Sequence, residues 1–110
     1  MGEHASRIEE LRATYQELHA TLNVDELIKE RTALEAKMGE PGFWDDQESA
    51  QATVTELKSV KAETDAFSAV LEKLDDVEVL DELATSPEDL ADLEKELEAA
   101  EEAINGLQLR

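Results

Sequence analysis

The chain has no cysteine, 4% aromatic residues, and only four glycines and two prolines among its 110 residues. The missing cysteine excludes disulfides and thiolate metal sites, and it fits a reducing compartment. Scarce glycine and proline leave few places for the chain to turn, so the elements should be few and long. No apolar run approaches the roughly 20 residues that a membrane-spanning helix needs. The opening Met1-Gly2-Glu3-His4 lacks the apolar core of a secretory leader. Met1-Gly2 with Ser6 outlines a myristoylation signal, but the acidic Glu3 speaks against it. These features together lead us to expect a cytoplasmic protein.

Positive charge is also in short supply. Ten Lys and Arg face 29 Asp and Glu, for a formal net charge of −19. The excess grows along the chain: residues 1–40 carry −4, residues 41–72 carry −5 and residues 73–102 carry −11. Such a field repels phosphate backbones, so no direct nucleic-acid binding is expected; it attracts a basic protein surface. Within the most acidic stretch, Glu88, Asp89, Asp92 and Glu96 are the candidate partner-facing residues. The plainer reading is that these acids form a solvated face that keeps the chain in solution.

What the chain does have is helical periodicity. Ile8, Leu11, Tyr15, Leu18 and Leu22 recur at intervals of three and four, the spacing of a coiled-coil seam. Ser6 with Glu9 reads as a capping box opening that helix. The stripe then loses phase, and Val24, Leu27, Leu34 and Met38 form a second one, interrupted by Arg31. Asn23 with Glu26 reads as another capping box, with Leu22 and Leu27 as its staple. Gly39-Glu40-Pro41-Gly42 is the strongest breaker, with Gly39 suited to a left-handed helix end. Asp45 and Glu48 then cap a long helix along Ala50, Thr53, Leu57, Val60, Thr64, Phe67, Leu71 and Leu74. Its stripe slips at 74-77-80, which should overwind or bend it. Ser86 as N-cap, Pro87 at the first helical position and acids in the first turn start the last helix. Its seam is Leu90, Leu93, Leu97, Ala100, Ile104 and Leu107. The expected fold is all-α: one domain over residues 1–110, an antiparallel, coiled-coil-like bundle of about four helices. They should span residues 6–21, 24–38, 46–84 and 87–105, with a loop at 39–45. Helices one and two form one arm, the long helix returns beside them, and the fourth folds back over its second half. The rival arrangement is an extended coiled coil that dimerises.

The search for catalytic chemistry is negative. There is no Gly-rich phosphate loop, no G-x-S-x-G and no H-E-x-x-H. His4 and His19 stand too far apart on one helix to share a metal, and Asp45-Asp46-Gln47-Glu48 lacks the spacing of a calcium loop. No cofactor, metal or enzymatic activity is expected. Trp44, the sole tryptophan, has two readings. As an anchor it plugs the end of the bundle with its N–H bonded to a loop carbonyl; as an exposed hot spot it meets a partner. The anchor is the favoured reading, because Phe43 and the Gly-Pro turn look built to fold the tip back. Tyr15 and Phe67 fall on seams and belong in the core.

The run Leu34-Glu35-Ala36-Lys37-Met38-Gly39-Glu40-Pro41-Gly42-Phe43-Trp44-Asp45-Asp46 resembles a signature near the N-terminus of the bacterial peptide chain release factor two family. The flanks agree: Arg7-Ile8-Glu9-Glu10-Leu11 opens the upstream helix, and Leu107-Gln108-Leu109-Arg110 ends the acidic hairpin. The likeness covers nearly the whole chain, and its specific part is Pro41, Gly42, Phe43, Trp44, Asp45 and Asp46. It implies a cytoplasmic factor that directs peptide release at UGA and UAA stop codons. It also implies that this domain lies near a stalk-base protein of the large ribosomal subunit and is linked to release factor three. The family's Ser-Pro-Phe and Gly-Gly-Gln motifs do not occur here, so the expectation is a first domain without the decoding and release elements, acting as a monomer. The alternative is a structural coiled coil for self-association or scaffolding.

Overall fold

The computed structural model describes residues 3–109, so the Met1-Gly2 portion of the myristoylation outline lies outside the described residues. The described residues form four α-helices and one short 3₁₀ turn: α1 Glu3–Thr21, α2 Val24–Met38, the turn Phe43–Asp45, α3 Gln47–Leu83 and α4 Pro87–Gln108. The chain is all-α. Both α1 and α2 run antiparallel to α3. Arg12 of α1 reaches Asp75 at 2.6 Å, while Arg31 of α2 reaches Asp65 at 3.0 Å. α4 doubles back along the C-terminal half of α3 and meets α1 on its other side. One end of the molecule is therefore a three-helix bundle. The other is a two-helix arm of α2 and the N-terminal half of α3, with the 3₁₀ turn at its tip.

The seams explain this division. Ile8, Leu11, Tyr15 and Leu18 of α1 pack with Phe67, Val70, Leu74 and Val77 of α3 and with Leu93, Leu97, Ala100, Ile104 and Leu107 of α4. Leu74, Leu93 and Leu97 are wholly buried. The arm has a thinner core of Leu34, Ala50, Thr53 and Val60, reaching Thr64 near the bundle. Small and hydroxylated side chains suit a place where only two helices meet. Arg31, the residue that interrupts the second stripe, donates to Thr64 Oγ1 at 2.8 Å and so satisfies that buried hydroxyl. The long dimension is 61 Å and the radius of gyration 18.6 Å, against about 13 Å for a compact chain of this length. A helix of 37 residues rising about 1.5 Å per residue accounts for most of that length.

Several local expectations are corrected. α1 is already helical from Glu3, so Ser6 lies inside it and caps nothing. The break at 22–23 is made by Asn23 adopting the left-handed conformation, φ 53°, with no side-chain cap bond; asparagine tolerates that region. Leu22 is partly exposed. Gly39 is right-handed at φ −88°, and the left-handed position falls at Gly42, φ 79°. The cap of α3 is Asp46, one residue beyond the expected Asp45, accepting from the Ser49 amide at 3.2 Å. α3 is one continuous helix across 74-77-80, and Val70, not the expected Leu71, is the core residue between Phe67 and Leu74, so the two successive threes of the buried stripe fall at 64-67-70. The last helix continues past Gly106 to Gln108.

Candidate functional site

Three arginines fix how the acidic surface is divided between internal and outward use. Arg7 of α1 lies between two acids of α4, 3.0 Å from Glu94 and 2.9 Å from Glu101. His4 adds a 3.1 Å contact to Glu94. Arg12 grips Asp75 and Glu78 of α3, and Arg31 bonds Asp65. Each cation pulls a helix of the first half onto α3 or α4. The Arg7 guanidinium, with help from His4, holds the Glu94 carboxyl below the usual carboxylate range. Sequence periodicity missed these clamps because it treats charge as solvated; the signal was the placement of arginines beside the apolar seams. A buried Tyr15 hydroxyl donates to the Phe67 carbonyl at 3.1 Å, and His19 leans on the same two rings.

The four candidate acids of α4 divide. Asp89 is committed to the helix start. Its carboxylate accepts from the amides of Thr85 at 3.2 Å and Ser86 at 3.3 Å, while Ser86 Oγ accepts from the Asp89 amide at 3.1 Å. Those donors lower its pKa. Glu88, Asp92 and Glu96 are exposed and have no ion-pair partner among the described residues. Asp92 and Glu96, one helical turn apart, line an open depression with Asp76, Val79, Leu80 and Lys95. Val79 and Leu83 project from α3 into solvent nearby, at i,i+4 spacing on one helix face. This end of the α3–α4 hairpin thus presents carboxylates beside aliphatic surface.

The signature residues 41–46 form the arm's tip. Pro41 and Gly42 make the turn, with the Phe43 amide donating to Glu40 O at 3.2 Å and the Asp45 amide to Gly42 O at 3.1 Å. A β-carbon on Gly42 would come within 3.3 Å of Asp45 Oδ2. Phe43 is half-buried, and its ring meets Trp44 edge-to-face at a centroid distance of 4.7 Å. Trp44 itself is 60% exposed. This overturns the expectation that it plugs the bundle: the tip lies at the far end of the arm from the three-helix core, so there is nothing for the indole to plug. It stands beside Gln47, Glu48, Gln51 and Ala52 on an open face of α3.

Set against known proteins, residues 27–110 match the model of the PCRF domain. The chain belongs to the PCRF domain family. Among its relatives is peptide chain release factor 2 of Clostridium perfringens, 45% identical over 78 residues, which is 71% of this chain and 21% of that protein. Peptide chain release factor 2 of Kineococcus radiotolerans is 36% identical over 96% of this chain and 29% of its own length. That of Salinispora tropica is 31% identical over 99% of this chain and 30% of its own. The chain therefore spans between a fifth and a third of the length of these relatives. The PCRF match takes in most of α2, the tip, α3 and α4. Among the described residues no group of three or more acidic or histidine side chains is placed to hold a metal ion, and no helix is long and apolar enough to cross a membrane.

Proposed function

We propose that this chain is the helical N-terminal domain of a bacterial peptide chain release factor 2, and that it serves translation termination by binding rather than by catalysis. The observation that carries the reading is the PCRF match together with relatives that bear that name along nearly the whole chain. The factor works in the cytoplasm and directs release at UGA and UAA. This domain contributes contacts to the ribosome, at a stalk-base protein of the large subunit, and to release factor three. Its outward acids favour a basic protein surface over bare RNA, since phosphates would be repelled. Glu88, Asp92 and Glu96 are the residues we assign to that contact, with Asp89 holding the helix start beneath them. The domain acts as a monomer, a reading supported by the way α1, α3 and α4 bury their seams against one another in the bundle.

A chimera tests this reading. The chain replaces the matching segment of the Clostridium perfringens factor, and peptide release is measured on ribosomes stalled at UGA. The chimera should release peptide, whereas the isolated chain should not, having no Gly-Gly-Gln loop to act on the ester. A folded chimera that binds ribosomes no better than a factor lacking the segment would overturn the assignment.

A further inference from the structure

The tip of the arm carries an aromatic residue that nothing in the fold requires to be exposed. Trp44 is held by a left-handed glycine, a 3₁₀ turn and an edge-to-face contact with Phe43, yet most of its surface faces water. Its surroundings are mostly acidic. Residues 40–48 contain four carboxylates, Glu40, Asp45, Asp46 and Glu48, and no Lys, Arg or His; Lys37, in the last turn of α2, is the nearest cation along the chain. Glu48 shares with Trp44 the open face formed by the first turns of α3, where Ala52 and Thr55 are small enough to leave room. Glu40, Asp45 and Glu48 have no ion-pair partner among the described residues.

We infer that the Trp44 tip is a docking site for a basic protein segment, with an arginine or lysine of the partner seated against the indole and its charge balanced by Glu48, Glu40 and Asp45. Tryptophan offers the strongest cation–π face of the aromatic side chains, and the guanidinium group stacks on it best. The carboxylates decide the partner's class. An exposed indole would also stack a nucleic-acid base, but the four acids at the tip, against the single Lys37, oppose a phosphate backbone there. This surface lies at the opposite end of the molecule from Asp92 and Glu96. It goes beyond the termination reading and stands on the tip geometry alone.

Because Trp44 is the sole tryptophan, its emission reports on the tip directly. The purified chain is titrated with a capped Ala-Arg-Ala-Arg-Ala peptide, with its lysine counterpart, and with an oligouridylate of similar length. The arginine peptide should change the emission saturably and more strongly than the lysine peptide. By calorimetry Trp44→Ala should weaken the arginine peptide about two- to fivefold, the size expected of an exposed cation–π contact. Glu40→Gln with Glu48→Gln should weaken it further, while Asp92→Asn with Glu96→Gln should leave the Trp44 signal unchanged. Helical circular dichroism checks that each variant is folded. Equal binding by parent and Trp44→Ala would overturn the proposal, as would a stronger response to the oligouridylate.

Discussion

Exposure, not residue type, decides what single substitutions will do. Trp44 and Leu97 are both large and apolar, yet Leu97 is fully buried and Trp44 is 60% exposed. Leu97→Ala should therefore cost about 2–5 kcal/mol, and Trp44→Ala no more than about 0.5 kcal/mol. Urea unfolding followed by circular dichroism separates the two outcomes; a Trp44→Ala midpoint as low as that of Leu97→Ala would restore the anchor role that the sequence suggests. The two glycines of the breaker make a matched pair. Gly42→Ala must place a side chain at φ 79°, at a cost of about 1–2 kcal/mol, whereas Gly39→Ala, at φ −88°, should leave stability unchanged or slightly raised. The sequence marks the breaker plainly but cannot say which glycine takes the left-handed position. That depends on Glu40 and Phe43 closing a further turn through Lys37 O and Glu40 O. Trp44 was ambiguous for a similar reason: a loop aromatic is buried or exposed according to what the rest of the fold brings to that end.

At the level of elements, the signals that proved legible are those with local physics. Ser86-Pro87 with Asp89 closes a reciprocal capping box, and the seam of α4 is buried from Leu93 onward, with Leu90 half-exposed at its free end. Non-local pairing was not legible, and the pH behaviour of the helices follows from it. Asp89 is held below its ordinary pKa by the Thr85 and Ser86 amides, and Glu94 by Arg7 and then His4. Both lowered groups stabilise the fold above the ordinary carboxylate pKa of about 4, and that contribution is lost as pH falls through their folded values. Asp89→Asn should therefore destabilise the chain at neutral pH and lose its effect near pH 2. Glu30 behaves in the opposite sense. It faces Glu56 across the arm, and the hydrogen bond with that like-charged neighbour raises its pKa. The favourable protonated pair is present below the ordinary carboxylate pKa and lost as pH rises through the raised value, leaving repulsion at neutrality. Glu30→Gln should raise the thermal midpoint at pH 7 and leave it unchanged near pH 3. Melts of both variants at the two pH values check these signs.

The molecule as a whole is a three-helix bundle extended by a two-helix arm, and its two ends should differ in stability. The bundle buries Leu, Ile, Phe and Val from three helices, whereas the arm rests on Leu34, Ala50, Thr53 and Val60, with Thr64 at its root. Amide hydrogen exchange should run faster in α2 than in α4, because opening the arm exposes less apolar surface than opening the bundle; equal protection would show that the arm and bundle unfold as one unit. The same layout places the Trp44 tip and the Asp92–Glu96 face at opposite ends of a body 61 Å long, each with an excess of carboxylates. Overall acidity and the helical plan were readable from composition and spacing. Which acids face outward was not, because Arg7, Arg12 and Arg31 bind some of them across helix boundaries. The most direct measurement is co-sedimentation of the chain with bacterial large ribosomal subunits at low and high salt, for the parent and for Asp92→Lys with Glu96→Lys. A domain that docks on a basic ribosomal protein through its outward acids should bind at low salt, dissociate as the Debye length shrinks from about 10 Å at 0.1 M towards 3 Å at 1 M, and bind less with the charges reversed. Binding indifferent to both salt and charge reversal, or no binding at low salt, would contradict it.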